Sequence, residues 1–149
     1  MDPEQMESRC GDENFDVVSP SYIEGFSLTF DLFNQERKGG VADLVESNEN
    51  TWGVLYKITE QALSELDRYE GYDEKRPIEQ NKYIRKKVDI KNRNGTKVEA
   101  YCYFVNKKEE FVPPSGEYLN IMINGARSNG LPDEAIKNIK IKGNFCKTK

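Results

Sequence analysis

Residues 83–105 of the chain read YIRKKVDIKNRNGTKVEAYCYFV. Apolar and polar residues alternate in both halves, Tyr83 to Ile90 and Lys97 to Val105, which is the pattern of half-buried β-strands. Asn94-Gly95 stands between the halves, and this pair favours the tight turn of a two-stranded hairpin. The stretch therefore predicts two antiparallel strands.

Further strands are predicted on the N-terminal side of this hairpin. An alternating stretch starts at Tyr22, a second covers 41–45, and a third covers 51–58. Gly39-Gly40 precedes the second of them. These two glycines could form a plain hairpin turn, or they could bring backbone N–H groups close to a ligand.

Helices are predicted where a capping residue precedes apolar residues spaced three and four apart, with Gly as the usual stop. They are expected to start at Asp2-Pro3, to run from Thr59 to Gly71, to run from Ser115 to Gly130, and to run from Pro132 toward Ile139. Residues 140–149 are predicted to form a basic tail.

Strands in succession with helices between and after them predict the α+β class. We expect a small mixed, mainly antiparallel β-barrel with flanking helices. The 149 residues fit one domain, 1–149, and show neither an internal repeat nor a linker. Exposed strand edges would also make a homodimer possible.

The composition excludes several classes of function. The chain has no His, which removes Ser-His and Cys-His nucleophiles and imidazole bases. Its three Cys are widely spaced and are expected to be reduced structural thiols, so neither a disulfide framework nor a zinc site is predicted. We expect no metal and no cofactor, and a carboxylate is the expected proton carrier of any enzyme built on this chain.

The partners are expected to be small molecules or proteins. The net charge of −4, from 22 basic and 26 acidic residues, offers no general attraction to nucleic acid or anionic lipid. The sequence shows neither a membrane-spanning apolar stretch nor a signal peptide, so a soluble, cytoplasmic protein is predicted.

Glu70 is the carboxylate most suited to acid/base chemistry. It lies where the helix that starts after Thr59 should end, and the helix dipole disfavours a negative charge there, which raises the carboxyl pKa. The neighbouring Tyr69 and Tyr72 could screen it from water, with the same effect. The alternative is an ordinary surface carboxylate, solvated or paired with Arg68.

Tyrosines are candidate hydroxyl donors for a polar pocket. Tyr101 and Tyr103 share one face of their strand, while Tyr83 and Tyr118 belong to other elements. The alternative is a solvated sheet face, on which tyrosine packs well across strands.

Five motifs together resemble the gamma-glutamylcyclotransferase-like family over about residues 20–140, in the family's order. They are GGVADL at 39–44, TWGVLYKI at 51–58, LDRYEGY at 66–72, PPSGEYL at 113–119 and INGARSNGLP at 123–132. The resemblance implies a metal-free cyclisation that releases 5-oxoproline from a gamma-glutamyl amino acid, amine or peptide. It implies that Glu70 is the catalytic glutamate and that Tyr118 contacts the substrate, with Tyr83 and Tyr103 near the pocket.

The resemblance also implies a strand and a YGSN-like turn before the first helix, whose backbone amides hold the glutamyl end of the substrate. The chain starts at Met1-Asp2, about where that turn should finish, so this strand and much of the loop are expected to be missing. Two functions therefore stay open: a gamma-glutamylcyclotransferase-like enzyme, or a non-catalytic relative that binds a small metabolite or a protein through the same cavity.

Overall fold

The computed structural model describes Met6, Ser8, Arg9, Gly11 and residues 15–144. Its strands are β1 (Phe15–Asn34), β2 (Gly39–Ile58), β3 (Tyr83–Asn92) and β4 (Lys97–Val105). Its main helices are α1 (Glu60–Glu70), α2 (Gly116–Ser128) and α3 (Asp133–Gly143), with a short 3-10 turn at Ile78–Gln80. None of the helices in the described part of the chain is long and apolar enough to cross a membrane.

The four strands form one sheet in the order β2-β1-β3-β4, and all of their pairs are antiparallel. The pairing between β1 and β3 is short, with Ser21 opposite Asn92 and Tyr22 opposite Lys91. The β3–β4 hairpin predicted from Asn94-Gly95 is present, and Gly95 has a φ of 80° in its turn. The α+β class and the antiparallel pairing are thus confirmed.

The sheet of the described residues is open between β2 and β4, so the expected barrel is not closed. The two edge strands meet through a side chain, because the Val105 N–H donates to Asp43 Oδ1 at 3.0 Å. The curvature that brings the edges together comes with three register shifts between β1 and β2, one of them beside Gly25 at a φ of 81°.

The segments 41–45 and 51–58, which are predicted as two strands, belong to one continuous strand. The predicted break between them is wrong. Residues 46–50, ESNEN, are exposed and polar, yet they remain extended between the two predicted segments. Their side chains do not need to be apolar, because Glu46 and Asn50 pair with β1 through backbone groups. The strand starting near Tyr22 likewise begins earlier, at Phe15.

The helix ends follow the predicted caps. Thr59 accepts a hydrogen bond from the Ala62 N–H, and Ser115 accepts one from the Tyr118 N–H. Helix α3 runs to Gly143 and not only to Ile139, so residues 140–143 of the predicted tail are helical. The Asp2-Pro3 helix start, Cys10, Cys146 and residues 145–149 lie outside the described residues.

Two apolar clusters support the sheet. One lies under α2 and α3 and contains Phe30, whose side chain has no exposed surface. The other lies under α1 and includes Met6, which is 2% exposed. The second cluster fixes both α1 and the segment before β1, and these two elements supply the charged groups described next.

Candidate functional site

Glu70 is the last residue of α1. Gly71 ends the helix in the left-handed conformation, with φ 68° and ψ 39°, and its N–H bonds back to the Arg68 carbonyl. The Glu70 side chain is only 14% exposed. Arg68, the partner considered from the sequence, instead lies 3.6 Å from Glu65. The carboxylate therefore stands at the carbonyl end of the helix, largely withdrawn from water.

Arg9 is the cationic partner of Glu70. Its Nη1 lies 3.7 Å from Glu70 Oε1, and the Arg9 side chain is 12% exposed. The guanidinium carbon lies 3.8 Å from the centre of the Tyr69 ring, within the range of a cation–π contact. The segment before β1 thus reaches over the end of α1 and contributes a charge to the site.

Burial raises the pKa of Glu70 above its ordinary value of 4.5, while the positive charges of Arg9 and Lys82 oppose that rise. The direction is the one expected from the sequence. Tyr69, one of the two tyrosines expected to screen the carboxylate, is itself exposed. A glutamate shifted in this direction is closer to the pKa that general acid/base catalysis near neutral pH requires.

Tyr118 lies in the first turn of α2 with its hydroxyl directed at β2. Its oxygen accepts a hydrogen bond from the Ala42 N–H at 3.1 Å. Its ring packs edge-on against Phe30, and the Arg37 guanidinium lies 5.4 Å from the ring centre. Because the oxygen acts as an acceptor here, the hydroxyl hydrogen can still be donated to a ligand.

Gly39 and Gly40 begin β2 and lie against the chain just before α2. The Gly40 N–H donates to the Pro113 carbonyl at 2.9 Å. A Cβ at Gly40 would lie 2.0 Å from the Val112 oxygen, and one at Gly39 would lie 2.7 Å from the Pro113 oxygen. The turn itself falls at residues 35–38, so the two glycines serve the close approach of α2, which brings Tyr118 to Ala42.

Tyr83 is the first residue of β3. Burial raises the pKa of its hydroxyl above 10, and the negative charges of Glu70, Asp43 and Asp31 act in the same direction, as does Tyr118. Interactions between charges weaken with distance, so each of these groups lies within electrostatic range of Tyr83. The start of β3 therefore interacts electrostatically with both the end of α1 and the first turn of α2, which are far from it in the sequence.

Tyr103 is placed differently. Its hydroxyl donates to Asp67 Oδ1 at 2.5 Å, and Arg85 Nη1 donates to Asp67 Oδ2 at 2.6 Å. Burial and the Asp67 hydrogen bond raise the pKa of Tyr103, and Glu70 contributes to the rise. Tyr103 is thus near Glu70, but its proton is already donated within the protein.

Asp31 and Asp43 form a buried acidic pair beside this region, and each residue is 4% exposed. Asp43 is paired with Lys108, whose ammonium lies 3.7 Å from Asp31 Oδ2. Neither Asp31 oxygen has a hydrogen-bond partner among the described residues. Burial raises the pKa of Asp31 to about 7; Asp43 acts in the same direction and Lys108 opposes it.

We expect Asp31→Asn to stabilise the protein more at pH 8 than at pH 5. Because the pKa of Asp31 is raised from 3.8 to about 7 on folding, the folded protein holds a proton that the unfolded chain releases. The free energy of unfolding of the wild type therefore falls as the pH rises from the lower pKa to the higher one. The Asn variant does not show this fall, because it has no carboxyl group at position 31. The expected difference between the two pH values exceeds about 1 kcal/mol.

Urea unfolding at both pH values measures this difference. Asp89→Asn is the matched control, because Asp89 is an exposed strand residue whose carboxylate pairs with Lys97. A gain for Asp31→Asn that is the same at pH 5 and pH 8 would contradict the raised pKa.

The chain is similar to known proteins in sequence and in fold. A sequence profile of the AIG2-like family matches residues 50–139, more than half of the chain. The chain belongs to the AIG2-like family. This AIG2-like protein is 27% identical over 123 residues to a mouse gamma-glutamylcyclotransferase and 32% identical over 102 residues to a bovine one. Those matches cover 79% and 68% of the chain, and 62% and 50% of the relatives.

A solved structure titled gamma-glutamyl cyclotransferase superposes with a TM-score of 0.81 at 25% identity. The superposition covers 92% of the AIG2-like chain and 79% of the solved chain. The gamma-glutamylcyclotransferase-like family and fold inferred from the five motifs are thereby confirmed. The chain spans about half to three fifths of the length of these curated relatives.

Several groups around Glu70 in the AIG2-like protein were not identified from the sequence. Arg9 was not identified, because nothing in the sequence links it to a partner 61 positions away. Asp67 lies three residues before Glu70 and is therefore its neighbour on the helix surface, a spacing that could have identified it. Asp31 and Asp43 occur in alternating strand segments, where a polar residue is normally assigned to the solvent face.

Proposed function

We propose that this protein is a gamma-glutamylcyclotransferase that releases 5-oxoproline from a gamma-glutamyl compound, with Glu70 as general acid/base. The observation that carries the proposal is the Glu70 carboxylate, which is withdrawn from water, raised in pKa and within electrostatic range of the Tyr83 and Tyr118 hydroxyl groups. The names of the mouse and bovine relatives support the same reaction class.

The proposed reaction is an internal aminolysis. The α-amine nitrogen of the substrate attacks the gamma-carbonyl carbon, which forms the ring bond of 5-oxoproline, and the bond from that carbon to the leaving nitrogen breaks. Glu70 takes the proton that the attacking nitrogen loses and returns a proton to the leaving nitrogen. Atoms balance without water and without a redox partner.

The neighbouring groups have distinct proposed tasks. Tyr118 and Tyr83 offer hydroxyl groups to the glutamyl part of the substrate, and the bond from Ala42 orients Tyr118. Tyr103 supports the end of α1 through Asp67. Arg9 is a positioning residue, because it holds the Glu70 carboxylate and keeps it ionised until a substrate amine presents its proton.

The test is release of 5-oxoproline from a panel of gamma-glutamyl amino acids and gamma-glutamyl amines. An α-linked glutamyl dipeptide and an N-acetylated gamma-glutamyl compound are matched controls, because the first has no gamma-amide bond to break and the second has no free α-amine to attack. Release of 5-oxoproline from the gamma-glutamyl amino acids or amines, and from neither control compound, would support the proposal. Absence of product from every gamma-glutamyl compound would overturn it.

Arg9→Met is expected to move the acidic limb of the kcat/KM profile to higher pH by about 1 unit. Glu70 must be ionised to accept a proton, and loss of the nearby positive charge raises its pKa further. Arg9→Lys retains a positive charge and should keep the limb close to that of the wild type. The measurement is 5-oxoproline release between pH 4 and 9.

Arg68→Met is the matched control for Arg9→Met. Arg68 is an exposed arginine on the same helix end, and its partner is Glu65. We expect its acidic limb to coincide with that of the wild type. An unchanged limb in Arg9→Met, with activity retained, would show that Arg9 does not set the ionisation of Glu70.

The alternative function is binding without turnover of a small metabolite or protein. The observation that favours it is the Arg9 contact, because a carboxylate already paired with an arginine is a weaker base. Calorimetry with an intact gamma-glutamyl compound distinguishes the two. Saturable binding without 5-oxoproline release would select the alternative.

A further inference from the structure

A cavity of about 560 Å³ lies between α3 and the β1–β2 pair. Its volume is within the range of small-molecule sites. None of its lining residues belongs to the site around Glu70. The lining residues are Tyr22, Leu28, Glu49, Asn50, Thr51, Trp52, Glu134, Ala135, Asn138 and Ile139.

One wall of the cavity is aromatic. Tyr22 of β1 and Trp52 of β2 are direct cross-strand partners, and their ring centres are 4.9 Å apart. Trp52 is the only tryptophan of the chain. Aromatic faces attract organic cations through the ring quadrupole, and tryptophan does so most strongly.

The charge of the lining is negative. It contains the carboxylates of Glu49 and Glu134 and no Lys or Arg. Glu49 is neutralised from outside the lining, because Lys142 Nζ lies 3.0 Å from its Oε2. Glu134 has no salt bridge among the described residues, so it supplies the net negative charge of the cavity.

Glu134 is held beside the aromatic wall. The Trp52 indole N–H donates to Glu134 Oε1 at 3.0 Å. This bond connects α3 to β2 and leaves Oε2 to accept from a ligand. A carboxylate oxygen next to an indole and a phenol is a combination that suits an ammonium group with an apolar chain.

We propose that this cavity is a binding site for a small aliphatic amine in its ammonium form. The ammonium group pairs with Glu134, and the hydrocarbon chain packs along Trp52 and Tyr22. The amide side chains of Asn50 and Asn138 lie in the same lining and accept further N–H donors. The site is independent of the proposed reaction at Glu70.

The experiment follows the single indole N–H cross-peak in ¹H–¹⁵N spectra of the full chain while 1,4-diaminobutane is added. Because Trp52 is the only tryptophan, this signal reports on the cavity alone. We expect saturable shifts with 1,4-diaminobutane, weakening with added NaCl, and no saturable shift with the neutral 1,4-butanediol. Equal response to the diol, or no response to either compound, would overturn the proposal.

Glu134→Gln is the decisive variant. Glutamine keeps an oxygen that accepts the indole hydrogen bond and removes only the charge, so the expected effect is an affinity for the diamine about 5-fold weaker. Glu60→Gln is the matched control, because Glu60 is also an acidic residue in a first helical turn and is exposed. Unchanged affinity in Glu134→Gln, or equal losses in both variants, would overturn the assignment.

Discussion

We expect Glu70→Gln to lower 5-oxoproline release by about 100- to 10,000-fold, the range lost with a general acid/base. Glutamine has nearly the same volume as glutamate but does not take up the proton of the attacking amine. The largest part of the loss should appear in kcat, because proton transfer occurs during the reaction and not during binding. The comparison requires wild type and variant at matched folded fractions.

Glu65→Gln is the control for this variant. Glu65 is on the same helix and pairs with Arg68, but its side chain is 37% exposed. Its activity should match that of the wild type. Because Glu70→Gln also removes the negative charge that faces Arg9, thermal unfolding is recorded for both variants. Equal rates for Glu70→Gln and wild type would reject Glu70 as the proton carrier.

Gly40→Ala is expected to lower the free energy of unfolding by about 3 kcal/mol, the upper part of the range for overpacked sites. The added Cβ would lie 2.0 Å from the Val112 carbonyl oxygen, which belongs to the backbone and cannot rotate away. The chain before α2 must move, and the hydrogen bond from Ala42 to Tyr118 is lost with it. Urea unfolding measures the change.

Gly53→Ala is the matched control, because Gly53 lies on the same strand and a Cβ there meets nothing within 4 Å. We expect its stability to stay within about 0.5 kcal/mol of the wild type. If Gly40→Ala were as stable as Gly53→Ala, the close approach of residues 112–115 to β2 would not be required for the fold.

Local signals were sufficient where one short segment decides the structure. The hairpin at Asn94-Gly95 and the caps at Thr59 and Ser115 each depend on residues within four positions of one another. The length of β2 was not predictable in this way. Its exposed residues 46–50 continue the strand because Glu46 and Asn50 pair with the backbone of β1, and the side-chain pattern of 46–50 does not indicate that pairing.

The candidate site was predictable only where a local feature of the sequence marked a residue. Glu70 stood out because its helix ends at the next residue, and the family resemblance singled out Tyr118 among the candidate tyrosines. The partner of Glu70 did not stand out, because Arg9 belongs to a segment that is held against α1 by the apolar contacts of Met6. Gly39 and Gly40 were identified as a turn or a close approach. The sequence did not show which backbone they accommodate, because that segment follows about 70 residues later.

The sequence by itself determined the antiparallel hairpin, the helix caps, the absence of histidine chemistry and the carboxylate at the end of α1. Tertiary structure alone decided that the sheet is open between β2 and β4, that Arg9 pairs with Glu70, and that Asp31 is buried beside Asp43. The physical reason is the distance along the sequence over which each kind of interaction acts. Capping and turn preferences act over a few residues, whereas burial and the charges that shift a pKa depend on which distant segments the core brings together.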